Sequence, residues 1–321
     1  MKIVINKYTI LFLIFVPLII GCNFFKARQM NNEAIQIFNN GHTEKAINIL
    51  DSILDFAPTY LTAFNNLGYI HESVGNTDTA LHYYSYAIKI MPEFEEALHN
   101  RGNLYYNLGK EDLAYIDFMK AYKLGFQNKN LFNSLSLILR KKGQLEFALE
   151  LINKALVLDN NYATSYDNKA MILTDLNIFK LALKNENLAI SLDSTKASRY
   201  NNRAWIFIKM RKFKLALEDC HRAIVIDSNY AHPYNNIGYI MDEYKDYEKA
   251  INNYTKAIEL NSNFNEPVFN RGVTYLNVGD TIKACNDFNK AVQMGFDIKK
   301  YDYYKFYVKN CPATESFRVV L

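Results

Sequence analysis

An alanine returns every 34 residues along this chain without a slip, at Ala46, Ala80, Ala114, Ala148, Ala182, Ala216, Ala250 and Ala284. A second ladder lies seven residues on, at Ala87, Ala121, Ala155, Ala189, Ala223, Ala257 and Ala291, with Ile53 in the first unit. Residues seven apart share a helix face, so this face keeps methyl groups where neighbouring helices must approach closely. A fixed period of this length specifies stacked units, each burying its apolar face only against its neighbours. It overrides the two or so globular domains that 321 residues would otherwise suggest. Half of the residues are apolar and 14% aromatic, with few glycines and prolines, which excludes a disordered or collagen-like chain.

Setting the first ladder at the twentieth place starts the units at Ala27, Leu61, Glu95, Lys129, Ala163, Ala197, Ala231 and Asn265, and ends the last at Ile298. The eighth place is small in every unit: Ala34, Gly68, Gly102, Ser136, Ala170, Ala204, Gly238, Gly272. The eleventh is large in most, as in Tyr105, Phe207, Met241 and Tyr275. Gly41, Gly75, Gly109, Gly143 and Gly279 hold the fifteenth, where a helix should stop and the chain turn. Pro58 and Pro92 close the first two units, and turns such as Asp227-Ser228-Asn229 close others. Each unit is therefore expected to be a helical hairpin.

Small at eight, large at eleven, Ala at twenty, aromatic at twenty-four, Ala at twenty-seven and a turn at thirty-two resembles the tetratricopeptide repeat, over residues 27–298. The resemblance implies an all-α fold, a right-handed superhelical solenoid of about eight hairpins. Residues 299–321 are expected to form a C-terminal capping helix and tail. In the cap, Tyr301, Tyr304 and Val308 are spaced to form one apolar face. The departures are local: Asn177, Arg211 and Lys245 replace the turn glycine, and Glu186 stands at the twenty-fourth place, where Tyr84, Phe118, Tyr254 and Phe288 stand in other units. Units with Arg at the seventh place (Arg101, Arg203, Arg271) all carry Asp at the twenty-third (Asp117, Asp219, Asp287), which points to a salt bridge within the hairpin. Lys169 is expected to serve Glu186 in the same way.

The N-terminus stands apart from the array. Lys2 and Lys7 precede an apolar run from Tyr8 to Ile20, and no acidic residue occurs before Glu33. Residues 1–21 read as a secretory signal peptide. The run closes with Leu18-Ile19-Ile20-Gly21-Cys22, which resembles a bacterial lipobox and implies lipidation of Cys22, with residues 22–26 as lipidated Cys and tether. Two or three acyl chains hold a protein on a membrane where one is marginal. The resemblance places the protein in the bacterial cell envelope, and Asn23 after the Cys is similar to the outer-membrane-sorted class facing the periplasm.

Removal of Lys2 and Lys7 takes the formal charge from +4 to +2, and the remaining Lys and Arg are interspersed with Asp and Glu, so nucleic acid is not an expected partner. No zinc helix, nucleophile elbow, phosphate loop or paired CxxC occurs, so no catalytic, cofactor or metal residue is expected and the protein is read as no enzyme. The six histidines scatter over different units, and Cys220 and His221, as sequential helix residues, diverge by about 100°. Cys220, Cys285 and Cys311 cannot all pair with one another. A Cys285–Cys311 bridge is one option, and Cys220 reads as a small hydrophobe.

What recurs on a surface is asparagine. In the tetratricopeptide family the concave face is lined by the first helix of each unit. Its sixth place reads Asn32, Asn66, Asn100, Ser134, Asn168, Asn202, Asn236 and Asn270 here, of which Asn66, Asn100, Asn168, Asn202, Asn236 and Asn270 are the candidates, and its ninth includes Tyr69, Trp205 and Tyr239. Amides suit the backbone of an extended peptide, and aromatic residues ringed by polar ones suit its anchors. The same amides also suit a purely structural role, tying adjacent units together. These nine residues form the candidate peptide-binding groove. The expected function is a membrane-anchored adaptor that captures an extended segment of a protein partner. The alternatives are a structural or assembly component of an envelope complex (pilus, secretion or outer-membrane biogenesis) working through convex faces or array ends, and a glycan- or peptidoglycan-linked accessory factor.

Overall fold

The structure, a computed structural model, describes residues 7–311, with side chains from residue 23 onward. Residues 1–6 of the signal segment, its remaining side chains, the Cys22 thiol and the tail beyond 311 thus lie outside the described residues. Among the described residues there are seventeen α-helices, one short 3₁₀ turn and no strand, and no helix long and apolar enough to cross a membrane. The helices fall into two compact units, one through Lys142 and one from Gly143.

The first unit pairs α1 (Lys7–Asn39) with α2 (Thr43–Phe56), α3 (Leu61–Ser73) with α4 (Thr77–Ile90), and α5 (Glu95–Asn107) with α6 (Glu111–Lys123), on which α7 (Lys129–Lys141) packs. In the second, α8 (Leu145–Leu158) leans on α9 (Ala163–Asp175), which pairs with α10 (Phe179–Leu192). The pairs α11 (Ala197–Lys209) with α12 (Phe213–Ile226), α13 (Ala231–Glu243) with α14 (Tyr247–Leu260), and α15 (Asn265–Asn277) with α16 (Thr281–Gln293) follow. The 3₁₀ turn (Ile298–Lys300) and α17 (Tyr304–Asn310) end the array. Residues 23–26 are helical and continue α1 rather than forming a separate tether. There Phe24 packs edge-on against Tyr60 and the Lys26 ammonium sits over Phe56.

Both alanine ladders are fully buried, so every second helix presents methyls to its neighbours. Each hairpin turn is a left-handed stop. Gly75 adopts φ 84°, its N–H donates to the Glu72 carbonyl, and the next N–H, of Asn76, donates to His71. Asn177, Arg211 and Lys245 enter the same region at φ 60°, 56° and 62°, making the same pair of bonds without glycine. Between units, Asp159, Asp193, Asp227 and Asn261 each accept from the backbone N–H two residues on, the Asx turns that take over from Pro58 and Pro92.

The hairpin centre is set by the eighth and twenty-fourth places together. A methyl on Gly68 or Gly238 would lie 2.6 Å from the ring of Tyr84 or Tyr254, and one on Gly102 would lie 2.6 Å from Phe118. Gly272 faces Phe288 in the same way. Where the twenty-fourth residue is no ring (Leu50, Ile152, Glu186, Cys220), the eighth is Ala or Ser. The ring and the glycine are thus one choice, not two.

All three Arg–Asp bridges form, each with two parallel bonds: Arg101 to Asp117 at 2.7 and 2.8 Å, Arg203 to Asp219 at 2.7 and 2.7 Å, and Arg271 to Asp287 at 2.8 and 2.9 Å. The remaining Nη1 reaches the preceding repeat, at Ser85, Asn187 and Thr255 respectively. Lys169 does not serve Glu186. The twenty-third place of that hairpin is Asn185, and Glu186 sits one residue on, at the ring position. It is fully buried there, and neither oxygen receives a bond from a nitrogen or hydroxyl donor.

The cap also differs from the sequence expectation. Tyr301 precedes the start of α17, so it and Val308 share no helix face; Val308 stays 56% exposed, whereas Tyr301 still meets Phe269 at 4.8 Å and stacks on Phe296 at 5.2 Å. Tyr303, Tyr304, Phe306 and Tyr307 cover the last hairpin with it, helped by Phe296, which stacks on Phe269 at 4.4 Å. A Cys285–Cys311 disulfide fastens α16 to the end of α17. Cys220 is free and buried, and desolvation pushes its thiol up to about 12, which suits an inert apolar filler.

Candidate peptide-binding face

The first helix of each hairpin presents its sixth and ninth places on one side, and the sixth-place amides prove to be tied down. Asn66 Nδ2 donates to Asn31 Oδ1 at 2.8 Å and Asn100 to Asn65 at 2.9 Å. In the second unit, Asn236 donates to Asn201 at 2.9 Å, Asn270 to Asn235 at 3.1 Å, and Asn202 to the Asp167 carboxylate at 2.6 Å. Each bond runs from the sixth place of one repeat to the fifth of the repeat before. Asn168 and Asn236 are buried, and the others are half-buried. The ladder therefore stitches repeats together, and each of these five donors spends one N–H on that stitch. This favours the structural role of the amides and narrows what they have left for a ligand.

The ninth-place rings are where the face meets solvent. Tyr69 is 47% exposed and meets Phe38 edge-on at 5.9 Å. Trp205 and Tyr239 come together in the second unit, edge to face with centroids 6.4 Å apart, and the Lys209 ammonium lies 4.8 Å from the Trp205 ring. Rigid aromatic groups seated among tied amides give a surface whose shape is fixed before any ligand arrives.

Two residues on this side escaped the sequence reading. At the twelfth place of α3 and α13 stand Glu72 and Asp242. Each receives the phenol of the buried ring behind it, Tyr84 Oη to Glu72 at 2.9 Å and Tyr254 Oη to Asp242 at 2.8 Å. Burial holds both carboxyls above the usual range, with the phenol bonds pulling the other way. The signal was in the sequence: hairpins with Tyr at the twenty-fourth place carry an acid at the twelfth, whereas Phe118 and Phe288 pair with Tyr106 and Leu276 there. Each acid opens onto a cavity between consecutive first helices. The one behind Tyr69 measures about 470 Å³ and the one behind Tyr239 about 400 Å³. Among the described residues no group of His, Cys, Asp and Glu is placed to hold a metal ion.

Two family models match the chain, one described as a tetratricopeptide repeat over residues 95–126 and one as a TPR repeat over 244–279. No curated protein matches it. Many solved structures do. A tetratricopeptide repeat protein from Parabacteroides merdae is 19% identical, with 77% of this chain and 98% of that one aligned at a TM-score of 0.58. YrrB, described as a TPR protein with an unusual peptide-binding site, is 22% identical, covering 57% of this chain and 95% of its own at 0.50. The APC/C hetero-tetramer Cut9–Hcn1 is 15% identical, covering 75% of this chain and 48% of that one at 0.60. At these identities the likeness is one of fold.

Proposed function

This chain is a tetratricopeptide-repeat protein, a fold that serves as a protein–protein interaction scaffold, and from that premise we propose that it is a lipid-anchored, non-enzymatic adaptor of the bacterial cell envelope. It holds an extended partner segment along its first helices. The observation that carries this reading is the pair of half-buried rings, Trp205 and Tyr239, held edge to face between amides that are already tied. YrrB, of similar fold, has a peptide-binding site by its own description. Disulfides persist in oxidising compartments, so the Cys285–Cys311 bridge supports an envelope location alongside the Leu18–Cys22 lipobox.

Affinity capture from solubilised envelopes with the full chain tests this, comparing wild type with Trp205→Ala/Tyr239→Ala. The amides are left intact because they hold the repeats together. A protein captured by wild type and lost by the double variant identifies the receptor face. Equal capture by both would sink it. The anchor is read separately: Cys22→Ala should move the chain from the membrane to the soluble fraction.

A second reading, a fixed part of an envelope assembly docked through the second helices, draws on a different surface. Val157, Val225 and Ile282 stand 86%, 75% and 77% exposed on α8, α12 and α16. Retention of the Trp205→Ala/Tyr239→Ala chain in a native complex, with loss after Val157→Asp or Val225→Asp, would favour it.

A further inference from the structure

The two cavities behind Tyr69 and Tyr239 occupy equivalent places in their hairpins and differ in how their acids are satisfied. In the second unit Asp242 has two hydroxyl neighbours: Tyr254 donates to one oxygen, and Thr274 Oγ1, from the next repeat, lies 2.9 and 2.8 Å from the two oxygens and 3.0 Å from the Asn270 carbonyl, with one proton to give. That cavity also has a cation of the chain itself on its wall. Lys245 lines it, and its Glu243 is paired with Arg211 at 2.7 Å.

In the first unit the same architecture lacks these groups. Leu104 stands where Thr274 stands, so Glu72 accepts only from Tyr84, and its Oε1 is left open. Ser73 and Gly75 replace Glu243 and Lys245, and no Lys or Arg lines the cavity. The amides point the same way. Asn100 spends an N–H on Asn65. Asn103 Nδ2 lies 3.1 Å from His99 Nε2, and burial lowers the His99 pKa to about 4, so the ring is neutral; in the tautomer whose Nε2 accepts, Asn103 Oδ1 is left unused. What remains open includes a carboxylate oxygen and an amide oxygen, with the remaining amide N–H groups, beside an exposed phenol ring.

We propose that the cavity formed by Tyr69, Glu72, Asn100, Asn103 and Asn107 is a specificity pocket for a cationic side chain, arginine or lysine, of the partner segment. This rests on the reading of the first helices as the peptide face. An aromatic face and a carboxylate around one cavity match the positive charge, and the free oxygens match its N–H donors. A volume of about 470 Å³ admits a whole long side chain. In the second-unit pocket the lining Lys245 repels a second cation and Glu243 is already paired with Arg211, so it takes no such ligand.

The test is titration of the full chain in detergent with N-acetyl-arginine amide, N-acetyl-lysine amide and the neutral isostere N-acetyl-citrulline amide, read at the side-chain amide signals of Asn100, Asn103 and Asn107. The arginine and lysine probes should shift these signals saturably, and citrulline should bind roughly tenfold more weakly, the loss of one charge-assisted contact. Glu72→Gln, which keeps an acceptor for Tyr84, should erase that discrimination. Tyr69→Leu, at an exposed ring, should weaken both cations about threefold through the lost π face. Equal binding of arginine and citrulline by wild type, or unchanged discrimination in folded Glu72→Gln, would overturn the pocket. The two readings fail separately. Lost envelope capture in Trp205→Ala/Tyr239→Ala with no charge discrimination keeps the face and rejects the pocket, whereas discrimination with unchanged capture keeps the pocket and rejects the extended face.

Discussion

The seventh and fifth hairpins lie in the same compact unit and turn at the same place, yet fill their centres with opposite chemistry. In the seventh, Tyr254 is 1% exposed, lies flat against Gly238 and sends its phenol out to Asp242. In the fifth, Glu186 occupies the ring's position against Ala170, fully buried. Its neighbours are the Asp167 carboxyl and the Arg199 and Arg203 guanidiniums, and desolvation first, then Asp167, raises its pKa well above the ordinary value. The seventh hairpin is a filled apolar core with one satisfied polar tip. The fifth trades that filling for a polar cluster. The backbone tolerates either, because the ladders of buried alanine on the second helices are common to both.

The contrast can be broken most severely at the glycine. Gly238→Ala should lower stability by about 2–3 kcal/mol by overpacking against Tyr254, against the usual helical preference for alanine. A melting temperature unchanged from wild type would show that the ring has somewhere else to go. In the fifth hairpin the sign reverses: Glu186→Leu should raise stability by about 1–2 kcal/mol, since a buried carboxyl whose hydrogen-bonding neighbour is another acid, Asp167, gives way to a packed side chain. Chemical denaturation reads both.

Glu186 also predicts a pH profile. Its folded-state pKa lies above the unfolded one, so the folded chain keeps a proton that the unfolded chain releases once pH passes about 4.3. Its contribution to stability is fullest below that value and declines as pH rises toward the raised pKa. The advantage of Glu186→Gln over wild type should therefore grow from pH 5 upward, and a flat difference would contradict the assignment.

Grafting sharpens the comparison further. Glu186→Phe should clash with the Ala170 methyl and recover when combined with Ala170→Gly, with a coupling of about 1 kcal/mol in a double-mutant cycle. The smallest effect belongs to the stitch shared by both regions. Asn236→Ala should cost about 1 kcal/mol by removing its bond to Asn201.

Much of this was legible in the sequence, because a period of 34 residues reports itself many times over. The hairpins, their turns and the Arg–Asp bridges followed from residues at fixed places, where repetition stands in for an alignment. The cap was harder. It occurs once, and the spacing of Tyr301, Tyr304 and Val308 assumed one continuous helix where the chain makes a 3₁₀ turn first. Glu186 was misread because an acid and a lysine seemed a natural couple, while its place belonged to the core. On the candidate face, the sixth-place asparagines were visible as a row, but a row does not reveal where its hydrogen bonds go. Glu72 and Asp242 were readable only by asking what a buried tyrosine does with its hydroxyl.

Arg101, Arg203 and Arg271 each grip an aspartate of their own hairpin and a side chain of the repeat before. The joints between the second and third, fifth and sixth, and seventh and eighth repeats thus carry a link that other joints lack. In a linear array, stability is the sum of what each repeat is worth alone and what each joint adds. Unequal joints make unequal blocks, so removing one of these arginines should let its own joint yield sooner under force or denaturant.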